Sequence, residues 1–152
     1  MPALTLLQQR EIEANVIAPL VRAFAAEVGN DRAREILAGV IAGLARQAGC
    51  AAAGVVGGNG LDSLRQVIQQ WQAGGSLELT VLDDTPDTLA FDVTRCRYAE
   101  MYQRLGLAEF GPILSCSRDA TLIEGFNPSI TLTRTQTIME GASHCDFRFR
   151  GG

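Results

Sequence analysis

Ser76-Leu77-Glu78-Leu79-Thr80-Val81, followed after Asp83-Asp84-Thr85-Pro86-Asp87 by Leu89-Ala90-Phe91-Asp92-Val93-Thr94, decides the class of this fold. Apolar and polar residues alternate in both arms, which is the period of strands with one buried face. The segment between them is rich in turn formers, so the arms read as an antiparallel hairpin with a longer loop. A second pair closes the chain: a strand expected over Ser129 to Met139, a turn at Glu140-Gly141-Ala142-Ser143, and a strand from Cys145 to Arg150.

Everything before Ser76 has a helical period instead. Ile12, Val16, Leu20 and Phe24 form one row between Leu6 and Val28, with Ile17, Val21 and Val28 beside it, and Pro19 predicts a kink or a break. Gly29-Asn30-Asp31 supplies a stop and an N-cap. The next helix, about Asp31 to Ala48, carries Ile36, Leu37, Val40, Ile41 and Leu44. Ala38, Gly39, Ala42 and Gly43 would let a neighbour approach closely, the pattern of a buried central helix. Gly54 to Gly60 fits neither glycine-rich phosphate-binding signature and reads as a connecting loop. A third helix is expected from Leu61 to Ala73. Between the hairpins, two more are expected, Cys96 to Leu105 and Ala108 to Glu124, with Pro112 tolerated in a first turn. Strands in antiparallel pairs, not in βαβ alternation, make the class α+β. The helical N-terminal half should pack on a four-stranded antiparallel sheet made of two hairpins separated by two helices, all in a single domain over residues 1–152.

The composition excludes several chemistries. The chain has 152 residues, and all 13 basic ones are arginine. Without lysine there is no Schiff base, lysine general base or P-loop lysine. One histidine, His144, rules out a multi-histidine metal centre within one chain. A net charge of −4 argues against nucleic acid as a partner. No stretch reaches the roughly 18 apolar residues of a membrane span, and the start lacks the pattern of a secretion signal. Cys50, Cys96, Cys116 and Cys145 contain no CxxC pair and read as thiols, so the expected location is the cytoplasm.

Unusual residues crowd into the second half. Cys116 and Asp119 stand three apart, on one face if the segment is helical, and a carboxylate on an apolar stripe is costly unless it has a task or a partner. Strand parity sends Cys145 inward with Phe147 and Phe149, and turns His144 and Asp146 elsewhere. A regular strand would place Arg134 in an apolar-flanked row, fit to grip a carboxylate or to pair with Asp92 or Asp146. Plainer readings stand beside each: small core cysteines, an edge aspartate, a paired arginine. Cys96, Cys116, Cys145 and His144 together would make a Cys3His set for zinc, but spacings of 20 and 29 residues carry no zinc-finger signal.

Taken in order, Phe91-Asp92-Val93-Thr94-Arg95-Cys96-Arg97-Tyr98-Ala99-Glu100-Met101-Tyr102, Gly111-Pro112, Cys116-Ser117-Arg118-Asp119 and Glu124-Gly125-Phe126-Asn127-Pro128 lead to Leu132-Thr133-Arg134-Thr135-Gln136 and His144-Cys145-Asp146-Phe147-Arg148-Phe149. This series resembles the L-2-amino-thiazoline-4-carboxylic acid hydrolase family, from about Thr88 to Phe149. The resemblance implies a hydrolase that opens a cyclic amidine, or a related non-peptide C–N bond, of a small substrate bearing a carboxylate.

Such chemistry needs a nucleophile or activated water, a proton shuttle, a carboxylate clamp and a dry pocket. The expected catalytic groups are Cys116 or a water held by Asp119, His144 as shuttle, and Cys145 as rival nucleophile. Arg134, Asn127 and Tyr98 are the expected substrate-binding residues. No cofactor is required. The alternative is a non-catalytic domain binding a small molecule, or zinc through the cysteine and histidine set. The helical half would supply the back wall of the pocket and a candidate homo-oligomer contact.

Overall fold

The computed structural model describes residues 2–152. Helix α1 (Leu6–Val28) is opened by a capping box, in which the Thr5 hydroxyl accepts from the Gln8 N–H and the Gln8 side chain answers the Thr5 N–H. It continues without a break through Pro19. The missing backbone donor there is outweighed because Ala14, Ala18 and Val21 anchor the turns on both sides of it. Helix α2 (Asn30–Val56) extends past the expected loop start, and the left-handed Gly57, at φ 74°, ends it.

Helix α3 (Leu61–Trp71) leads through a short turn to strands β1 (Leu77–Asp84) and β2 (Thr88–Cys96). Helix α4 (Arg97–Arg104) follows at once, with the Cys96 sulfur accepting from the Ala99 N–H. The single helix expected over 108–124 is instead three pieces: a 3-10 turn at Ala108–Phe110, a π turn at Pro112–Cys116 and helix α5 (Arg118–Phe126). Pro112 withholds a donor, while the Ser117 N–H reaches back to the Pro112 carbonyl and its hydroxyl to that of Ile113.

Strand β3 covers only Thr131–Thr133, much less than Ser129 to Met139, before β4 (Cys145–Arg150). The cause is Asp146. Its carboxylate takes the backbone N–H groups of Thr135 and Gln136, so these donors leave the ladder.

The sheet is antiparallel in the order β1-β2-β4-β3, with Val93 opposite Cys145, Phe91 opposite Phe147 and Leu89 opposite Phe149. Those six residues form its inner face, and the Phe91 and Phe147 rings stack with centroids 5.0 Å apart. This face packs against α3 and the end of α5 in one core cluster. A second cluster joins Ala14, Ala18, Leu37 and Ile41 of the long helices to Tyr98, Tyr102 and Leu114. Leu6, Leu77 and Cys96 touch both clusters.

Gly49 and Gly125 set the height of α5. A Cβ on Gly49 would run into the Leu122 carbonyl, and one on Gly125 into that of Arg46, so the backbones of α2 and α5 cross in direct contact. The α2 helix is long and apolar enough, by length and composition, to cross a bilayer. One row of it, Leu37, Ile41, Ala45 and Gly49, is buried against the rest of the fold. It is only half the buried central helix expected, since Ile36, Val40 and Leu44 point outward.

Candidate functional site

A hollow of about 90 Å³ lies at the seam of the two clusters. Its walls are largely apolar, with Leu6, Trp71, Leu77, Val93, Leu122 and Phe147 among them. Polar groups enter from few places. Arg10 comes from α1, Ser115 and Cys116 from the π turn, Arg118 and Asp119 from the start of α5, and Arg134 from just beyond β3. Cys96 and Cys145 reach it from strand ends. A π turn often marks a functional site because it re-aims side chains that an α-helix would stack; here it carries Ser115 and Cys116.

Asp119 is the centre of the polar network. Its Oδ2 accepts from Arg134 Nη1 at 2.5 Å, and Arg134 Nη2 donates to the Cys116 carbonyl at 3.1 Å. The same guanidinium lies over the Phe147 ring, 5.2 Å from its centroid. Asp119 keeps 21% of its side chain accessible. Burial lifts its carboxyl from an ordinary 3.8 to about 6, although Arg134 pulls the other way. A base with that value is ionised and still basic near neutral pH.

The thiols are in the opposite condition. Burial, with Asp119 as the next cause, pushes Cys116 far above the usual thiol range. Cys96 is raised by burial to about 11, and Cys145 is raised by burial as well. None is a thiolate at neutral pH in the unliganded site.

A second knot of charge stands beside the first. Arg10 Nη1 donates to both oxygens of Glu13, at 2.9 and 3.0 Å, and Arg118 Nη2 donates to Glu13 Oε2 at 3.1 Å. Arg118 Nε is held by the Leu114 carbonyl. Three guanidinium groups thus face two carboxylates, leaving one positive charge for an anion. Among the described residues, Nε and Nη2 of Arg10 have no protein acceptor and present a free donor pair. Arg10 and Arg118 were not expected here. Their signal is visible in hindsight, because Arg10 interrupts the otherwise apolar row Leu6, Ala14 and Ala18.

Of the residues singled out from sequence, Cys116, Asp119, Arg134, Cys145, Cys96 and Tyr98 meet at this hollow. Tyr98 spends its hydroxyl on the Trp71 carbonyl at 3.0 Å, and burial raises its phenol to about 12. His144 does not reach the hollow. It lies on the outer side of the sheet, with Ser143 Oγ at 2.9 Å and Asp92 at 3.9 Å, because β4 parity turns it away from Cys145. Asn127 is also outside, bonding the Asn59 carbonyl and the Ser129 N–H to fix the loop after α5. Arg134 has Asp119 as its partner, neither Asp92 nor Asp146; Asp92 is taken by Arg148. The four zinc candidates are therefore not assembled, and no three His, Cys, Asp or Glu side chains form a metal-holding group among the described residues.

The family described as L-2-amino-thiazoline-4-carboxylic acid hydrolase matches residues 9–149 of the chain. Comparison with curated proteins finds no match. Among solved structures, the phenol-responsive sensory domain of the transcription activator PoxR with phenol is similar at 15% identity and a TM-score of 0.49, over 91% of this chain and 73% of that one.

Proposed function

Because the chain belongs to the L-2-amino-thiazoline-4-carboxylic acid hydrolase family, we propose that its hollow is the active site of a hydrolase opening a small cyclic amidine that bears a carboxylate. The observation that carries this reading is the pairing of a partly buried, ionisable Asp119 with an excess of guanidinium in one largely apolar hollow. At about 90 Å³ it is far below the roughly 300 Å³ at which drug-sized ligand pockets begin, which suits a small ring and not a peptide.

In this reading Arg10 clamps the substrate carboxylate with Nε and Nη2, and Arg118 supplies the second positive charge. Arg134 acts as a positioning residue that holds Asp119. A water is deprotonated by Asp119 while its oxygen bonds to the amidine carbon between nitrogen and sulfur, and the C=N electron pair moves onto the ring nitrogen. The carbon–sulfur bond then breaks as the new hydroxyl becomes the carbonyl, its proton passing to the ring nitrogen while sulfur takes the first proton back from Asp119, leaving a carbamoyl-cysteine. One water is consumed. The raised thiols favour the carboxylate-activated water over a cysteine nucleophile; Cys116 and Cys145 then serve as wall and weak donors. Four free cysteines accord with a cytoplasmic setting.

The test is turnover of 2-amino-thiazoline-4-carboxylate followed by mass spectrometry of the carbamoyl product. Asp119→Asn should lower kcat about 100-fold or more, and Arg10→Gln should raise KM with kcat nearly kept. No turnover by the unaltered protein, or full activity in Asp119→Asn, would remove the proposal.

A further inference from the structure

Helices α1 and α2 fold back on each other across Gly29, and Arg22 and Arg34 from either side of that turn meet on Glu109. What they give to the core is modest: Ala14, Ala18 and Val21 from α1, Ala33 and Ala45 beside Leu37 and Ile41 from α2. The bulkier residues face the other way. Ile12, Val16, Leu20, Phe24 and Val28 stand outward on α1, and Ile36, Val40 and Leu44 on α2, each between 48 and 59% exposed. A full row of large apolar residues on the outward face is the reverse of what a solvent-facing helix needs.

Together these side chains bare on the order of 800 Å², more than the roughly 300–600 Å² of the largest patch on a typical monomer. It is also about the area one partner contributes to a standard protein–protein interface. We infer that this face is the contact between two copies of the chain, joined about a two-fold axis into a four-helix layer.

Two features select a second copy over other occupants. The face carries both halves of a complementary relief. Beside its large residues lie Gly39 and Gly43, where a Cβ would meet nothing within 4 Å. A two-fold axis can set the bulky α1 row of each copy over the glycine hollow of the other, satisfying both at once. The charges at its turn end are of both signs, namely Glu27, Asp31, Arg32 and Glu35, and the chain has no lysine and a net charge of −4. An anionic membrane surface selects instead for a lysine- and arginine-rich border.

Sedimentation velocity at micromolar concentrations tests this without reference to the hydrolase reading. The unaltered protein is expected at twice 16.3 kDa. Val40→Arg and Leu20→Glu should each raise the dimer dissociation constant about 30-fold or more, with helical circular dichroism kept. If either variant loses that signal, Val16→Thr and Val40→Thr are read instead, with the same direction of change. A chain that stays at 16.3 kDa throughout, or a dimer indifferent to these substitutions, overturns the inference. So does a monomer that co-sediments with phosphatidylcholine–phosphatidylglycerol vesicles.

Discussion

Asp119→Asn separates the electrostatic account of the site from a merely structural one. Burial lifts the Asp119 carboxyl from 3.8 to about 6 in the fold, so the folded chain holds that proton more tightly than the unfolded chain does. The linked stability is fully present below pH 3.8 and is lost as pH rises through about 6. At 1.36 kcal/mol per unit, that is on the order of 3 kcal/mol. Asparagine cannot ionise, so the variant lacks this loss. Arg134 is left without its carboxylate, a penalty that is the same at every pH because guanidinium stays charged. Other carboxylates titrate alike in both proteins and cancel in the difference. Urea unfolding of both proteins between about pH 4 and 7 should therefore show the original losing on the order of 3 kcal/mol relative to Asp119→Asn. In the same window the catalytic rate of the unaltered protein should rise with an apparent pKa near 6, since the base must be ionised. Parallel stability profiles would refute the claim that burial raises this carboxyl, and with it the reason for choosing Asp119 as base.

Gly49→Ala should destabilise the fold by about 2–3 kcal/mol or more, read as a lower melting temperature, because the added methyl meets the Leu122 carbonyl and backbone there cannot yield cheaply. His144→Asn should change kcat/KM less than about threefold, as His144 stands on the outer side of the sheet; a loss comparable to that of Asp119→Asn would return it to the chemistry. Titration with a thiol reagent under native conditions should find Cys50 fast and Cys96, Cys116 and Cys145 slow, all four reacting after unfolding, because only Cys50 is exposed, while Cys96 and Cys116 are partly buried, Cys145 is buried, and all three are held as thiols.

Local pattern was enough for the order of elements and for strand parity. The alternation in Leu89-Ala90-Phe91-Asp92-Val93 and in Cys145-Asp146-Phe147-Arg148-Phe149 decides which side chains face the core, because a strand has only two faces. By the same rule it separates Cys145 from His144. Arg134 shows the limit of that rule. Its parity was reckoned on a strand that runs on past Thr133, and the strand stops there because Asp146, eleven residues beyond Thr135, captures the backbone donors.

The long helices show a deeper limit. Period alone reveals that α1 and α2 each carry an apolar row, but each has two. The one with the larger side chains, Ile12 to Phe24 on α1 and Ile36 to Leu44 on α2, is the one left outside. The choice is made by the partner surface, since α4 and the π turn present Tyr102, Met101 and Leu114, and Ala14, Ala18, Leu37 and Ile41 are the residues that pack against them. The site has the same origin. Residues 10, 96, 116–119, 134 and 145 share no spacing that a one-dimensional reading could detect, and only the crossing of α2 and α5 at two glycines brings Asp119 up against Arg134. Sequence determined which faces are apolar and which chemistry is affordable without lysine; tertiary structure decided what covers each face, because a contact belongs to two surfaces and a periodicity to one.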